Sequence, residues 1–429
     1  MTTGKDVKIK KRLSRDFFWN TAGSLLYALM SMILAFFVMR TQGAEDGGIF
    51  GFGFSTFGQQ MFIVAYFGIR PFQITDVRRE YSFRTYRQFR LFTSGTAAGI
   101  AALWLLWLFA SGQYTPYKAL IVWMLAAYKI FDGFADVYES ELQRDGKLYR
   151  AGQLLCARTA VCGGALMLAL LFHSGLLRAV VIAVLLQLLF MGIYRTVGKR
   201  ELSPEYERGE GDRLLPLFRS TVLLFLSVFL DFYVFSAAKY AVDLKLTDAD
   251  NGIFNLLFMP TNIIYLAANF IIKPFMTYLA AAYETREFDR FSGIIRKIGG
   301  LIAACTVICL LGALLLGGVV LRIGEFVLGK GYAGMLTEQR TAFTVIILGG
   351  GVYALANLYY YVLIIMRRQN AVFLVYAAAA VFAFFLAPAL VGSLAVGGAA
   401  LCYLLLMLAL CAGFYTLGQG YLRREREND

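Results

Sequence analysis

Residues 44–50 read AEDGGIF, and residues 248–254 read DADNGIF, so Asp46 and Asp250 stand 204 positions apart (250 − 46). Both stretches pass from a polar turn into an apolar run. The match continues at the far end of each run, with Arg70-Pro71-Phe72 after the first and Lys273-Pro274-Phe275 after the second, an offset of 203 (273 − 70). A basic, aromatic-rich segment follows each. Two matches at nearly one offset, in the same context, mark an internal duplication. Asp46 and Asp250 are expected to cap the helices they open, because an Asp side chain accepts orphan backbone N–H groups and suits the positive end of the helix dipole; the alternative is direct contact with a transported species.

The duplicated runs lie in a chain of 429 residues that is 59% apolar, 15% aromatic and only 16% charged. Soluble domains carry roughly 25% charged residues, so this chain has too few polar groups to cover a water-facing surface. Apolar runs long enough to cross a hydrocarbon core of about 30 Å recur along its length, and the backbone inside them must be helical. Twelve spans are expected: 17–39, 49–69, 91–110, 118–138, 151–172, 177–195, 216–238, 252–275, 294–316, 341–366, 370–391 and 396–417. The stretch 317–340 either dips into the bilayer or sits outside it. The first run, after KIKKRLSRDFF, is too long for a signal-peptide core and is expected to stay as span one.

With the N-terminus in the cytoplasm, 31 of the 41 Lys and Arg residues fall in inner segments or at the inner ends of spans, which orients both termini inward. The net charge of +13 therefore reflects topology and contact with anionic membrane lipids, and argues against nucleic acid as a partner. Six crossings per repeat bring the copy in with the same orientation. The expected fold is an all-α polytopic membrane protein with two parallel six-helix lobes around a central cavity, the arrangement of alternating-access carriers. Lobe one is placed at 1–198, a charged cytoplasmic linker at 199–215 and lobe two at 216–429. All six cysteines fall inside spans and read as small apolar packing residues.

Three segments carry a family resemblance. MRTQGAEDGGIF at the exit of span one resembles the R-x-x-G-x-x-x-x-G-x-F junction of bacterial polysaccharide exporters. IGEFVLGKGYAG (323–334) is similar to their segment after span nine, and MRRQN (366–370) sits like their short basic turn. With the repeat, these resemble the Wzx-type oligosaccharidyl-lipid flippases of the multidrug/oligosaccharidyl-lipid/polysaccharide (MOP) exporter superfamily. The resemblance implies transfer of a polyprenyl-diphosphate-linked glycan across the bacterial cytoplasmic membrane for surface polysaccharide biosynthesis. It also implies polysaccharide polymerase and assembly proteins as partners. No cofactor is expected beyond a coupling ion, H⁺ or Na⁺.

Ionisable groups inside a span cost at least about 2.5–3.5 kcal/mol on insertion scales, so each is a functional candidate. In span four, Lys129, Asp132 and Asp136 share one helical face, which Glu139 and Gln143 continue. Arg158 of span five lies at comparable depth. Two readings stand: an Arg–Asp tie between two helices, or Lys129 and Arg158 as diphosphate ligands, since a guanidinium grips phosphate through paired bonds. Asp231 in span seven is a candidate coupling carboxylate, as are Asp132 and Asp136; the alternative for Asp231 is a pair with Lys239 or another neighbour. In span eight, Asn255, Asn262 and Asn269 fall at heptad spacing and are expected to form one polar stripe, beside a kink at Pro260. That stripe suits sugar hydroxyls or a helix partner. Gln59 and Gln60 of span two and Tyr353, Asn357 and Tyr360 of span ten join the list, and Gly349–Gly351 are candidates for a hinge. Arg70 and Lys273 stand in matching places at the inner mouth, either as anchors or as first captors of the lipid diphosphate.

An enzyme is not expected. One histidine, His173, cannot build a His-based metal site or dyad, no ATP-binding Gly-x-x-x-x-Gly-Lys-Ser/Thr loop occurs, and most outer loops are short. A major-facilitator carrier would carry a Gly- and Arg-rich turn between spans two and three; 71–90 lacks glycine and reads instead as an amphipathic surface helix. A cation-coupled multidrug antiporter of the same superfamily is the main alternative.

Overall fold

The computed structural model describes residues 4–76, 78–202 and 213–427, with side chains from residue 14 onward. The expected linker at 199–215 lies mostly outside these residues. Among the described residues every regular element is helical. The chain forms two compact units, Met1–Phe229 and Leu230–Asp429. The first holds α1 (Gly4–Gln42), α2 (Ala44–Phe52), α3 (Gly58–Tyr66), α4 (Ile69–Thr75), α5 (Phe83–Ala110), α6 (Pro116–Arg144), α7 (Leu148–Leu171), α8 (Leu176–Glu201) and the start of α9 (Leu214–Lys245). The second holds the rest of α9, α10 (Asp248–Ile272), α11 (Met276–Glu284), α12 (Phe288–Leu328), α13 (Arg340–Ile365) and α14 (Gln369–Glu427).

Among the described residues, nine helical stretches are long and apolar enough to cross a membrane. The difference from twelve has local causes. Span two is cut by a π-helical turn, Gly53–Phe57, between α2 and α3, and α3 ends where Phe67 and Gly68 turn left-handed (φ 51° and 66°). Span four coincides with α6, whose buried charges lower its hydropathy. Spans eleven and twelve appear as the single element α14, which leaves helical geometry at Ala395 (φ 49°, ψ −131°). The rings of Tyr376 and Phe414 lie 5.1 Å apart, whereas a straight helix would separate those residues by about 57 Å. The chain therefore folds back on itself there.

Three further expectations are corrected. The segment 71–90 is not one surface helix: α4 stops at Thr75, and the Asp76 carboxylate accepts from the backbone N–H of Glu80 (2.8 Å) and Tyr81 (3.2 Å), a local alternative to helix. Ser82 then caps α5 by accepting from Thr85 N–H (3.2 Å). Asp250 is not the cap of α10; Thr247 is, and Asp250 three residues on completes a capping box with it. Asp46 lies within the first turn of α2, which has no side-chain cap, and accepts a hydrogen bond from Tyr117 OH (3.1 Å). In 317–340, α12 continues to Leu328. The Glu325 carboxylate then pins the following turns by accepting from Leu336 N–H (2.9 Å), Thr337 N–H (2.7 Å) and Thr337 Oγ1 (2.7 Å).

Glycines let helices meet backbone to backbone, as small residues do in membranes. A Cβ on Gly23 of α1 would lie 2.8 Å from the Gly152 carbonyl oxygen of α7, and one on Gly351 would strike Thr306 of α12. Gly349–Gly351 therefore serve packing, and α13 runs unbroken through them.

Candidate functional site

The densest polar cluster of the first unit is built around α6. Spacing of three and four residues sets Lys129, Asp132, Asp136 and Glu139 on one face, and all four are buried. Facing helices answer them. Arg158 of α7 places Nη1 2.8 Å from Asp132 and Nη2 3.4 Å from Glu139. From α8, Gln187 donates to Asp132 (2.8 Å) and Tyr194 OH to Glu139 (2.6 Å). Tyr27 of α1 donates to the second Asp132 oxygen (3.1 Å). Asp136 is held from two sides: by Arg90 of α5 at 2.9 Å and by Arg70 of α4, which also bonds Gln143 (2.8 Å). Arg90 is fully enclosed and donates to the Tyr66 carbonyl at the end of α3.

This core sets three carboxylates, Asp132, Asp136 and Glu139, against four cations, Lys129, Arg158, Arg90 and Arg70. Lys129 is the least committed cation. It is 2% exposed, 3.9 Å from an already shared Asp132 oxygen, and bonded to Tyr27 OH at 3.2 Å. Its ammonium also sits 3.9 Å from the centre of the Phe54 ring, and Phe54 belongs to the π-helical turn. Such turns recur at functional sites, and a ring face attracts a desolvated cation. A buried ion cluster of this kind is a poor source of net stability, but removing one member is costly because the others keep their desolvation.

The second unit carries a different arrangement. Asp231 of α9 accepts from Tyr353 OH of α13 at 3.1 and 3.3 Å, and Tyr353 stacks on Tyr265 of α10 (5.4 Å between centroids) and lies beside Phe235 (5.1 Å). No cation pairs with Asp231 among the described residues. Lys239, 6% exposed, lies over the Phe258 ring (4.2 Å) instead. Eight residues along one helix separate the two by about 12 Å, so the pair with Lys239 does not form and the neighbour that holds Asp231 is Tyr353.

α10 runs unbroken through Pro260, so the three asparagines keep their heptad spacing, but they make separate contacts. Asn255 donates to Asn251 Oδ1 (2.9 Å), and Asn251 to Asp243 (3.0 Å). Asn269 receives Asn357 of α13 and Tyr361 OH, both at 3.4 Å, and Asn262 is exposed. Gln59 is half-buried, while its neighbour Gln60 donates to the Phe229 carbonyl (3.1 Å). Arg70 and Lys273 are not equivalent: Arg70 is ion-paired, Lys273 exposed.

The structure thus brings Lys129, Asp132, Asp136, Arg158 and Arg70 together, and separately Asn269 with Asn357. Sequence reasoning missed Arg90, Tyr27, Gln187 and Tyr194. Arg90 had a usable signal, since a helix capped at Ser82 buries it two turns in. Among the described residues no group of three or more His, Cys, Asp or Glu gathers to hold a metal.

No family model matches the chain, and no curated protein matches its sequence. Its structure is similar to the inward-facing conformation of a multidrug resistance MATE family transporter of the MOP superfamily, with TM-score 0.71 and 12% identity over 97% of this chain and 98% of that one. It is also similar to the MATE multidrug transporter DinF-BH (TM-score 0.60, 14% identity, 97% and 96% covered). A third is a MOP superfamily transporter from Pyrococcus furiosus whose binding pocket of reverse polarity suggests a different function (TM-score 0.55, 14% identity, 96% of each chain). The chain has the MATE-like fold over its whole length, and at these identities the likeness is one of fold.

Proposed function

We propose that this chain transports a polyprenyl-diphosphate-linked glycan across the bacterial cytoplasmic membrane by alternating access. The observation that carries the reading is the sign of the buried charge. In the cluster around α6 every carboxylate is already held by a cation, while Lys129 is only loosely committed. That cluster leaves no unpaired acid for a cationic drug and offers a cation to an anion. A diphosphate would be met first by Lys129. Arg158 would join by exchanging one of its two carboxylates, which its planar fork allows. Asn357, Asn269 and the tyrosines around Asp231 are suited to sugar hydroxyls. Polymerase and assembly proteins of the same glycan would be its partners.

A second reading has support of its own. Asp231 is a buried carboxylate with tyrosine hydroxyls and ring faces about it and, among the described residues, no cation, a setting for an organic cation, H⁺ or Na⁺. The multidrug transporters among the similar structures favour that reading, a cation-coupled drug antiporter. In the first reading Asp231 serves ion coupling. Native mass spectrometry of gently purified protein separates the two. Retention of an isoprenoid-diphosphate sugar, reduced in Lys129→Met, is the expected result. Failure to retain it when supplied in excess, with binding of cationic dyes lost in Asp231→Asn, would replace the first reading with the second.

A further inference from the structure

A groove of about 470 Å³ opens in the first unit where α5, α6 and α8 converge, lined by Arg87 and Leu91 of α5, Phe134 and Tyr138 of α6, and Met191 and Arg195 of α8. It lies on an apolar surface: Leu91 and Phe92 are exposed, as are Leu188 and Leu189 on α8, which is what lipid rather than water would face. Both arginines sit at the same end of the helices, Arg87 in the second turn of α5 and Arg195 in the last two turns of α8. Arg70, Arg90, Arg144, Arg150 and Arg158 of this unit hold carboxylates, while Arg84 and Arg200, like the two arginines of the groove, show no ion pair among the described residues. Arg87 and Arg195 pair with none among the described residues; Arg87 lies near the Phe83 ring (5.9 Å) and Arg195 is exposed.

We propose that this groove binds an anionic glycerophospholipid, its phosphodiester between Arg87 and Arg195 and the start of a chain over Leu91, Phe134 and Met191. Two guanidiniums without acids present paired donors to phosphate oxygens, and the apolar floor continues from them toward the middle of the helices. A zwitterionic lipid would bring its own ammonium against the same two cations. The orientation read from the basic loops places the site in the inner leaflet, where anionic lipids are attracted by about fivefold for each basic residue near the surface. The back wall links the groove to the polar core: Tyr138 packs on Tyr194 (6.0 Å between centroids), whose hydroxyl holds Glu139. A bound lipid therefore braces the element that positions the buried charges.

The test is native mass spectrometry of the full chain in detergent, with phosphatidylglycerol and phosphatidylcholine supplied at equal concentration, and without any cargo lipid. The wild type is expected to retain phosphatidylglycerol at least about fivefold over phosphatidylcholine. R87Q/R195Q loses the preference, R87K/R195K keeps part of it, and R322Q, on α12, leaves it unchanged. Size-exclusion profiles check folding, and the exposed single change R195Q serves if the double variant is lost. Equal retention by the wild type, or a preference that survives in R87Q/R195Q, would overturn the proposal. So would displacement of the lipid by excess inorganic phosphate, which would make the site a free-anion site, or stronger retention of an isoprenoid diphosphate, which would assign the groove to cargo. Because no cargo is present in the primary assay, its outcome is independent of the transport reading.

Discussion

Arg158 shows how a side chain can be legible in type and depth but not in its commitments. A lone arginine in an apolar run announces itself, and the spacing of Lys129, Asp132 and Asp136 places three charges on one helical face. What that spacing does not carry is Tyr27, Gln187 and Tyr194, each from another helix, which complete the hydrogen bonding of Asp132 and Glu139. The consequence is testable. Arg158→Ala strands two buried carboxylates and should lower stability by about 3–5 kcal/mol, read as a fall in the thermal unfolding midpoint in detergent. Asp132→Asn with Arg158→Gln should cost less than the two changes added together, because each removes the other's uncompensated charge. Strict additivity would show that the pair is not coupled.

At the scale of elements, the sequence pattern locates most helices and misjudges how several begin, break and turn. The entry of α10 is an example. Asp250 is the natural cap from pattern alone, but Thr247 lies three residues ahead, accepts from Asp250 N–H at 3.1 Å and gives its own hydroxyl hydrogen to the Asp250 carboxylate (2.6 Å). Thr247→Ala should therefore destabilise by about 1 kcal/mol, with Thr247→Ser close to wild type; an unchanged unfolding midpoint for the alanine variant would refute the cap. The π-helical turn at Gly53–Phe57 has no signal of its own, because its residues are ordinary for a membrane helix and the extra backbone length is accommodated by packing against α6. A Cβ at Gly53 would meet the Leu125 side chain at 2.7 Å, so the glycine is readable and the turn is not. In α14, the reversal at Ala395 agrees with the expected break between two spans, since a single apolar helix of that length exceeds any bilayer.

For the whole molecule, the chain forms two compact units, Met1–Phe229 and Leu230–Asp429, with a MATE-like fold along its length, and their boundary falls inside α9 rather than at the expected linker 199–215. The two units differ in chemistry. The first concentrates ion pairs around α6, and the second keeps Asp231 and Lys239 apart from each other among aromatic rings. That asymmetry is not readable from the repeat, because it depends on which side chains the two folds bring together. The direct test of the proposed transport is translocation in proteoliposomes, using a polyprenyl-diphosphate oligosaccharide placed in one leaflet and followed by a glycan-binding probe confined to the other side. Protein-dependent appearance of the glycan, strongly reduced in Lys129→Met, is the predicted result. No translocation by well-folded protein, in vesicles where the same protein accumulates a cationic dye, would contradict it.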